Sequence, residues 1–317
     1  MLSFYNKNCM DGIAQDIEDE SINLVILDPP YFSTGYYESG DRNFKNEYEY
    51  IIWYTRLLEI INTKSNHNSS FYLFHNDESI MADILNFVKR SLGWTIRNHI
   101  VWNKIQSQNK FSRAIKTFGS NRKYGQTFTE HIWYITKQGD FFDTPFSRIM
   151  KSEMTRLGLK QSDISTLEKS RNGNVTGWVH NKIKGSQIPT PSQWGKICKL
   201  FDINDRYDDL YDKYRNERYR FNQPKLNWNK RGIEEQKRIL SPYGEVWDFP
   251  IVLSKIHPNQ KPYEMIKHIV ETSSNPKDLV LDPFMGSGVS LSVCKDLDRS
   301  FVGYESNSKY FNKYDVI

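Results

Sequence analysis

The sequence predicts an α/β protein built on a mixed, mostly parallel sheet and interrupted by a small all-α region. Three observations predict it. Short apolar runs that read as strands alternate with helical patterns up to about residue 147, and the alternation resumes from about residue 241. Two runs, Leu24-Val25-Ile26-Leu27 and Leu279-Val280-Leu281, are apolar throughout, as strands buried on both faces are, and each stops at a loop rich in Pro or Gly. Between residues 148 and 204 the texture changes to short helices.

The first run ends at Asp28-Pro29-Pro30-Tyr31. Residues 69–75 (Ser-Ser-Phe-Tyr-Leu-Phe-His) read as a second buried strand, 80–92 as a helix, and 98–102 and 131–136 as further strands. Residues 104–124 are basic, polar and without periodicity, and read as a long mobile loop. In the helical region, 150–157 and 161–168 are short helices, Asn172-Gly173 a turn, and 175–183 a helix ended by Gly185. Thr190-Pro191-Ser192-Gln193 starts another helix, with Thr at the N-cap, Pro at the first helical position and Gln at the third, and the helix runs through Trp194, Ile197 and Leu200. A charged, tyrosine-rich connector follows. The predicted organisation is a first half of the α/β domain at 1–147, a helical insert at 148–204, a basic connector at 205–240 and a second half at 241–317.

Composition narrows the function. The chain has 317 residues, 38% hydrophobic and 14% aromatic, enough for one large core plus a small insertion. The net charge of +5 is unevenly spread. Residues 1–96 carry 7 basic against 14 acidic residues, whereas 97–123 carry 7 basic and none acidic, 148–187 carry 8 against 3, and 213–238 carry 9 against 3. A basic middle with interleaved aromatics suggests a polyanion footprint. Cys9, Cys198 and Cys294 show neither a disulfide framework nor a metal spacing, and no metal is expected. No signal peptide or membrane-length apolar run is present, so the expectation is a cytoplasmic protein without membrane contact.

The two loops carry chemistry. An exocyclic amine on a nucleobase is a poor nucleophile because its lone pair is delocalised into the ring. A carboxylate accepting one N–H and a carbonyl accepting the other favour a more tetrahedral nitrogen. Asp28 supplies the first and the Pro29 carbonyl the second, and the Pro29-Pro30 pair restricts the backbone so that the carbonyl stays aimed. Tyr31 can stack on the base. In the other loop, Asp282-Pro283-Phe284-Met285-Gly286-Ser287-Gly288, the glycines let a ligand approach the backbone, and the helix from about Val289 presents its positive end. Glu305 stands at the end of the next strand, where an acid can accept from ribose hydroxyls. A dinucleotide site is the competing reading, but the third glycine of its fingerprint is missing.

Together these residues resemble the amino-group DNA methyltransferases that use S-adenosylmethionine. His257-Pro258-Asn259-Gln260-Lys261-Pro262 is similar to the family's segment beside the methionine part of the cofactor, and Glu130-His131-Ile132-Trp133-Tyr134-Ile135-Thr136-Lys137 to another family strand. The order, with the base-binding loop first and the cofactor half last, resembles the family's beta group. The resemblance covers 1–147 and 241–317. It implies a Rossmann-like class I methyltransferase sheet, Asp28, Pro29, Pro30 and Tyr31 as the catalytic loop, and S-adenosylmethionine held by Asn8, Cys9, Asp28, His257, Gln260, Lys261, Pro262, Asp282, Phe284, Gly286, Gly288 and Glu305. Asn8-Cys9 departs from the Asp-Cys of many relatives, although an amide oxygen still accepts from an amine. Asp at position 28 favours adenine N6, since members acting on cytosine N4 more often carry Ser; both amines need the same acceptors, so cytosine stays open.

The helical insert resembles a repressor-type helix-turn-helix over about 55 residues, Leu157 to Ile164 (Leu-Gly-Leu-Lys-Gln-Ser-Asp-Ile) matching the opening of its second helix. Residues 175–183 are then the recognition helix, with Thr176, Trp178, His180, Asn181 and Lys182 facing base edges, and Asn172-Gly173-Asn174 a lengthened turn. A base in a duplex cannot reach Asp28, so the nucleotide must flip out. Lys110, Arg113, Lys116, Arg122 and Lys123 are phosphate candidates, and Tyr36 and Tyr37 could close over the base. The implied partners are double-stranded DNA, a cognate restriction endonuclease and a second copy of the chain. A structured-RNA or protein-glutamine methyltransferase, a DNA-binding regulator with a relic catalytic domain, and a dehydrogenase are the rival readings.

Overall fold

Leu24, Val25, Ile26 and Leu27 close a strand, β2 (Ile22–Leu27), whose side chains are buried on both faces. The computed structural model describes residues 1–32, 44–104, 129–137, 144–165, 178–230, 244–252, 257 and 259–313, with backbone alone at 165 and over 178–179 and 219–230. The chain divides into two units, Met1–Lys137 with Asn227–Ile317, and Gln138–Leu226.

In the first unit the remaining strands are β1 (Leu2–Tyr5), β3 (Ser65–His75), β4 (Thr95–Asn103), β5 (Thr129–Thr136), β6 (Val246–Trp247), β7 (Leu279–Asp282) and β8 (Ser300–Tyr304). They form one sheet in the order β1-β8-β7-β2-β3-β5-β4-β6. Every neighbouring pair is parallel except those that β5 makes with β3 and β4, so β5 alone runs against the rest. Alternation within β2 divides the core. Val25 and Leu27 pack with α1 (Cys9–Asp16), α2 (Glu47–Lys64) and α3 (Glu78–Arg90), through Ile13, Leu57, Leu58, Ile61, Ile80, Ile84 and Val88. Leu24 and Ile26 pack on the other face, with Met265, Ile266, Ile269 and Val270 of one helix (Tyr263–Ser273) and Leu291, Val293 and Cys294 of another (Val289–Asp296). The result is a sheet covered by helices on both faces, the α/β architecture expected.

The strands read from sequence are all present, with later or earlier ends. Residue 65 rather than 69 opens β3, because Asn66, Asn68 and Ser69 form a polar irregularity: Ser69 Oγ donates to the carbonyls of Ile22 (2.6 Å) and Asn66 (2.8 Å). Asp77 caps α3 by accepting from the amides of Ser79 and Ile80, which moves its start to Glu78.

The second unit is helical. It contains α4 (Pro145–Leu157), α5 (Gln161–Ser165), α6 (Trp178–Ile183), α7 (Pro191–Phe201) and most of α8 (Tyr207–Lys230); the two helices after them are α9 (Tyr263–Ser273) and α10 (Val289–Asp296), and α11 (Ser308–Phe311) ends the described chain. The stretch expected as a connector at 205–240 is therefore helical over Tyr207–Lys230. The core of this unit is Phe146, Met150, Ile164, Trp194, Ile197 and Phe201. The reciprocal cap expected at Thr190 forms: its hydroxyl accepts from the Gln193 amide (3.2 Å) and the Gln193 side chain accepts from the Thr190 amide (3.0 Å). Among the described residues no helix is long and apolar enough to cross a membrane.

The cap predicts a measurable cost. Thr190→Ala should lower stability to chemical denaturation by about 1 kcal/mol. Ser192→Ala, at an exposed position of the same turn, should leave it unchanged.

Candidate active site

Parallel pairing of β2 with β7, Val25 opposite Leu281, puts the carboxyl ends of both strands at one edge of the sheet. From β2 the chain runs outward through β3, and from β7 outward the other way through β8, so the two loops meet where the strand order reverses. Asp28-Pro29-Pro30-Tyr31 and the glycine turn are thus neighbours, as their assignment to one site requires.

Asp28 stands just past β2 with its side chain 24% exposed. Lys261 Nζ lies 2.6 Å from Asp28 Oδ2 and 2.9 Å from Glu130 Oε1, with Lys261 and Glu130 both buried. The Tyr31 hydroxyl is 2.9 Å from Asp28 Oδ1 and 2.7 Å from Glu130 Oε1. Lys104, immediately after β4, forms an ion pair with Glu130 Oε2. Burial raises the Asp28 carboxyl above its ordinary range, Lys261 opposes that and the Glu130 charge adds to it. Burial pushes Glu130 the same way, but Lys261 and Lys104 together overcome it and hold Glu130 well below the usual carboxylate range. For Lys261, burial is outweighed by the two carboxylates, which keep the ammonium charged well above its ordinary range. Burial, then Asp28 and Glu130, raise the Tyr31 phenol, so it stays protonated.

The second loop is built for close approach. Gly286 and Gly288 adopt φ of 48° and 76°, in the left-handed region, and a Cβ on Gly286 would lie 3.3 Å from His257 Nε2. The Gly286 amide donates to Glu305 Oε2 (3.1 Å) and the Asn307 amide to Glu305 Oε1 (2.7 Å), fixing the carboxylate at the end of β8 beside the turn. Asp282 receives the Phe284 amide (3.1 Å) and the Ser290 hydroxyl, which tie the turn to α10, and burial pushes its carboxyl up to about 7. His257 packs edge-on against Tyr310, and burial, with Lys261 and Lys313, lowers it to about 4, so the ring beside Gly286 is neutral at pH 7. Gln260 Oε1 is buried and, among the described residues, has no partner, while Lys261 leads through Pro262 into α9. Phe284 packs on Trp53 at 5.9 Å. An acid fixed at a strand end, two glycines in a left-handed turn and an unpaired buried amide oxygen fit a nucleoside cofactor with an amine-bearing tail.

Asn8 caps α1, accepting from the Met10 amide (2.9 Å), and Cys9 is buried in the core. The loop that carries them is tied to the Glu305 loop, since Asn6 Nδ2 donates to the carbonyl of Glu305 (2.7 Å). In the other unit, His180 is exposed with Nδ1 3.3 Å from Gln161 Oε1, Asn181 is half-buried, and Lys182 is buried with its ammonium 2.9 Å from Gln187 Oε1. Lys182 is therefore a packing residue, because the aliphatic stem and the Gln187 contact turn it inward. The backbone of Trp178 lies in α6. Thr176, Tyr36, Tyr37, Lys110, Arg113, Lys116, Arg122 and Lys123 lie outside the described residues.

Three residues of the site had no assigned role in the sequence reading. Glu130 opens an apolar strand, and a lone acid there was the available signal. Lys104 was counted with the basic loop. Tyr54 of α2 is fully buried, its hydroxyl has no partner among the described residues, and the Asp28 charge reaches it.

Comparison with known proteins agrees with this geometry. The family model for N6/N4 methyltransferases, described as DNA methylase, matches residues 22–315. The Type II methyltransferase M1.MboII of Moraxella bovis is 24% identical over 324 residues, covering 99% of this chain and 95% of the relative. The DNA adenine methyltransferase YhdJ of Escherichia coli (strain K12) is 43% identical over 89 residues, covering 25% of this chain and 30% of the relative. The solved PvuII DNA methyltransferase, cytosine-N4-specific, superposes with a TM-score of 0.51 at 15% identity, covering 97% of this chain and 83% of that one, which shows a shared fold.

Two outcomes follow from the glycine turn. Gly286→Ala should weaken nucleoside-cofactor binding at least about tenfold by equilibrium titration, because the Cβ meets His257 and the backbone leaves its preferred region. Asp282 is raised in the folded state, so it holds a proton that the unfolded chain has lost, and stability should fall as pH rises through the window up to about 7. Asp282→Asn should flatten that decline in denaturation curves measured across the same window.

Proposed function

The chain belongs to the N6/N4 DNA methylase family, and from that membership we propose that it transfers a methyl group from S-adenosylmethionine to adenine N6 in duplex DNA. The observation that carries the reading is Asp28, a carboxylate at the end of a central strand, set beside the glycine turn and held by Lys261. S-adenosylmethionine supplies an electrophilic methyl on a sulfonium. Glu305 suits its ribose hydroxyls, Gly286 and Gly288 its close approach, and Gln260 its amine-bearing tail.

On the acceptor side, Asp28 takes one N–H of the amine and the Pro29 carbonyl takes the other, which returns lone-pair density to the nitrogen. The nitrogen attacks directly, so no covalent enzyme intermediate is needed, and Asp28 can take the released proton. Extrusion of the base from the helix costs a few kcal/mol in lost stacking and pairing, about what flipping enzymes spend. Asp rather than Ser at position 28 supports adenine, and so does the local likeness to the DNA adenine methyltransferase YhdJ. Cytosine N4 offers the same pair of N–H groups.

The helical unit, basic over 148–187 and with His180 exposed, is proposed to read the duplex, as is the basic segment 104–123. The full relative from Moraxella is a Type II methyltransferase, which supports a cognate restriction endonuclease as a partner in the cell.

The test is chemical. Asp28→Ala should retain cofactor binding and lose methyl transfer by a factor of about 100 or more, measured as labelled methyl incorporated into DNA. Digestion of the product and mass spectrometry should show N6-methyladenine. Full activity in the variant removes the mechanism, and N4-methylcytosine alone overturns the base assignment.

A further inference from the structure

Glu130 is a carboxylate only 3% exposed that the proposed reaction leaves without a task. It reaches the site because β5 runs against the other strands, so its first residues lie at the edge where theirs end. A buried carboxylate is costly unless it is paired, and this one is paired twice, with Lys104 and Lys261. Lys261 serves Asp28 as well, whereas the ion pair of Lys104 is with Glu130.

We propose that Glu130 is a positioning residue for methyl transfer: by sharing Lys261 and accepting from Tyr31, it leaves Asp28 open to the incoming amine. The inference rests on Asp28 as the acceptor of that amine. Two counts support it. The first is of protons. The Tyr31 hydroxyl lies within hydrogen-bond distance of both carboxylates but has one proton to give, and the shorter contact is to Glu130, 2.7 Å against 2.9 Å. Asp28 Oδ1 thus competes with Glu130 for one phenol proton, and an amine N–H can take that proton's place at Asp28 while Tyr31 keeps Glu130 as its acceptor. The second is of charges. Asp28, Glu130, Lys104 and Lys261 sum to zero. Without Glu130, Lys104 would lose its carboxylate, and Lys261, 2.6 Å from Asp28 Oδ2, would no longer divide its charge between two acids.

Every element packed on Asp28 contributes a group to this balance: Tyr31 from its own loop, Lys261 from the segment before α9, Glu130 from β5, Lys104 after β4, Asp282 from β7, Tyr54 from α2 and His75 from β3, the last tilted against Tyr31 with ring centroids 4.7 Å apart. Of these, the negative charge closest to Asp28 in effect is that of Glu130, and it raises the Asp28 carboxyl.

The experiment is Glu130→Gln in the full chain, with three readings. Carbon-detected NMR titration of the Asp28 carboxyl should move to lower pH, since a neighbouring negative charge is gone. The acid limb of the kcat profile should move the same way, because Asp28 works ionised. At the plateau kcat should fall about tenfold, with cofactor affinity held within about twofold. An unmoved Asp28 titration overturns the proposal, whether or not kcat falls, since a merely structural residue would lower kcat and leave the titration in place. An unchanged kcat also overturns it. If the single variant fails to fold, Glu130→Gln with Lys104→Gln leaves no lysine stranded; kcat must still fall and the Asp28 titration must still move to lower pH, by less than in the single variant because a cation is lost with the anion, and an unmoved titration or an unchanged kcat overturns the proposal. Should Asp28→Ala remain active, the role of Asp28 as acceptor of the amine fails and this inference with it, whereas an inactive Asp28→Ala together with an Asp28 titration unmoved by Glu130→Gln overturns the inference alone.

Discussion

A single ammonium group shared by two carboxylates is the constraint on which this site depends. Lys261 joins Asp28, 233 residues away in sequence, to Glu130, and Glu130 joins Lys104. None of these charges is tolerable at its depth alone. Together they are neutral, and each satisfies another. The end of β2, the start of β5, the end of β4 and the approach to α9 must therefore all be in place before any one of them is stable there. The half of the sheet that carries the Asp28 loop and the segment that leads toward the glycine turn are fastened by this contact, so folding itself brings the two loops together.

The one reversed strand is what makes such a cluster possible. A parallel sheet offers only the residues after its strands at the working edge. Insertion of β5 between β3 and β4 adds a residue from the start of a strand, Glu130, opposite Trp102 and on the same face as the buried Ile132. Its neighbour His131 lies on the other face beside His99 and Trp133. Pleating thus separates a charge used by the site from a stacked aromatic patch by one residue. An error of one residue in the register of β5 would exchange them.

Much of this was legible in the sequence, and the boundary is physical. Apolar runs, the Asp28 and Gly286 turns and the Thr190 cap are local patterns, written within a few residues by backbone sterics and orphan amides. Helix α2 was equally local: Tyr50, Trp53, Tyr54, Leu57, Leu58 and Ile61 follow helical spacing behind an Asn46 cap, but its many aromatics hid the period. Glu130, Lys104 and Lys261 were not legible as a cluster, because their pairing is decided by strand order and not by spacing. Lys182 erred the other way. Its position on a short helix suggested an outward charge, but the side chain is buried with its ammonium on Gln187, and no local pattern distinguishes such a lysine from an exposed one.

Asp28 and Asp282 show how far the same short word can diverge. Each follows an apolar strand, each precedes a proline, and their strands are neighbours. Asp282 is met by neutral donors, the Phe284 amide and the Ser290 hydroxyl, which suit a carboxyl pushed up to about 7 and bind it into the turn. Asp28 is met by an ammonium and a phenol whose single proton is contested, and its side chain keeps a path to solvent. Neutral donors in fixed positions make a carboxylate part of the scaffold. The ammonium is the strong partner and holds Asp28 in place, whereas the shared phenol is the one an incoming N–H can replace while the charge balance persists. The difference in partners, not in the residue or its strand, ties one aspartate into the turn and leaves the other open to the role proposed for it.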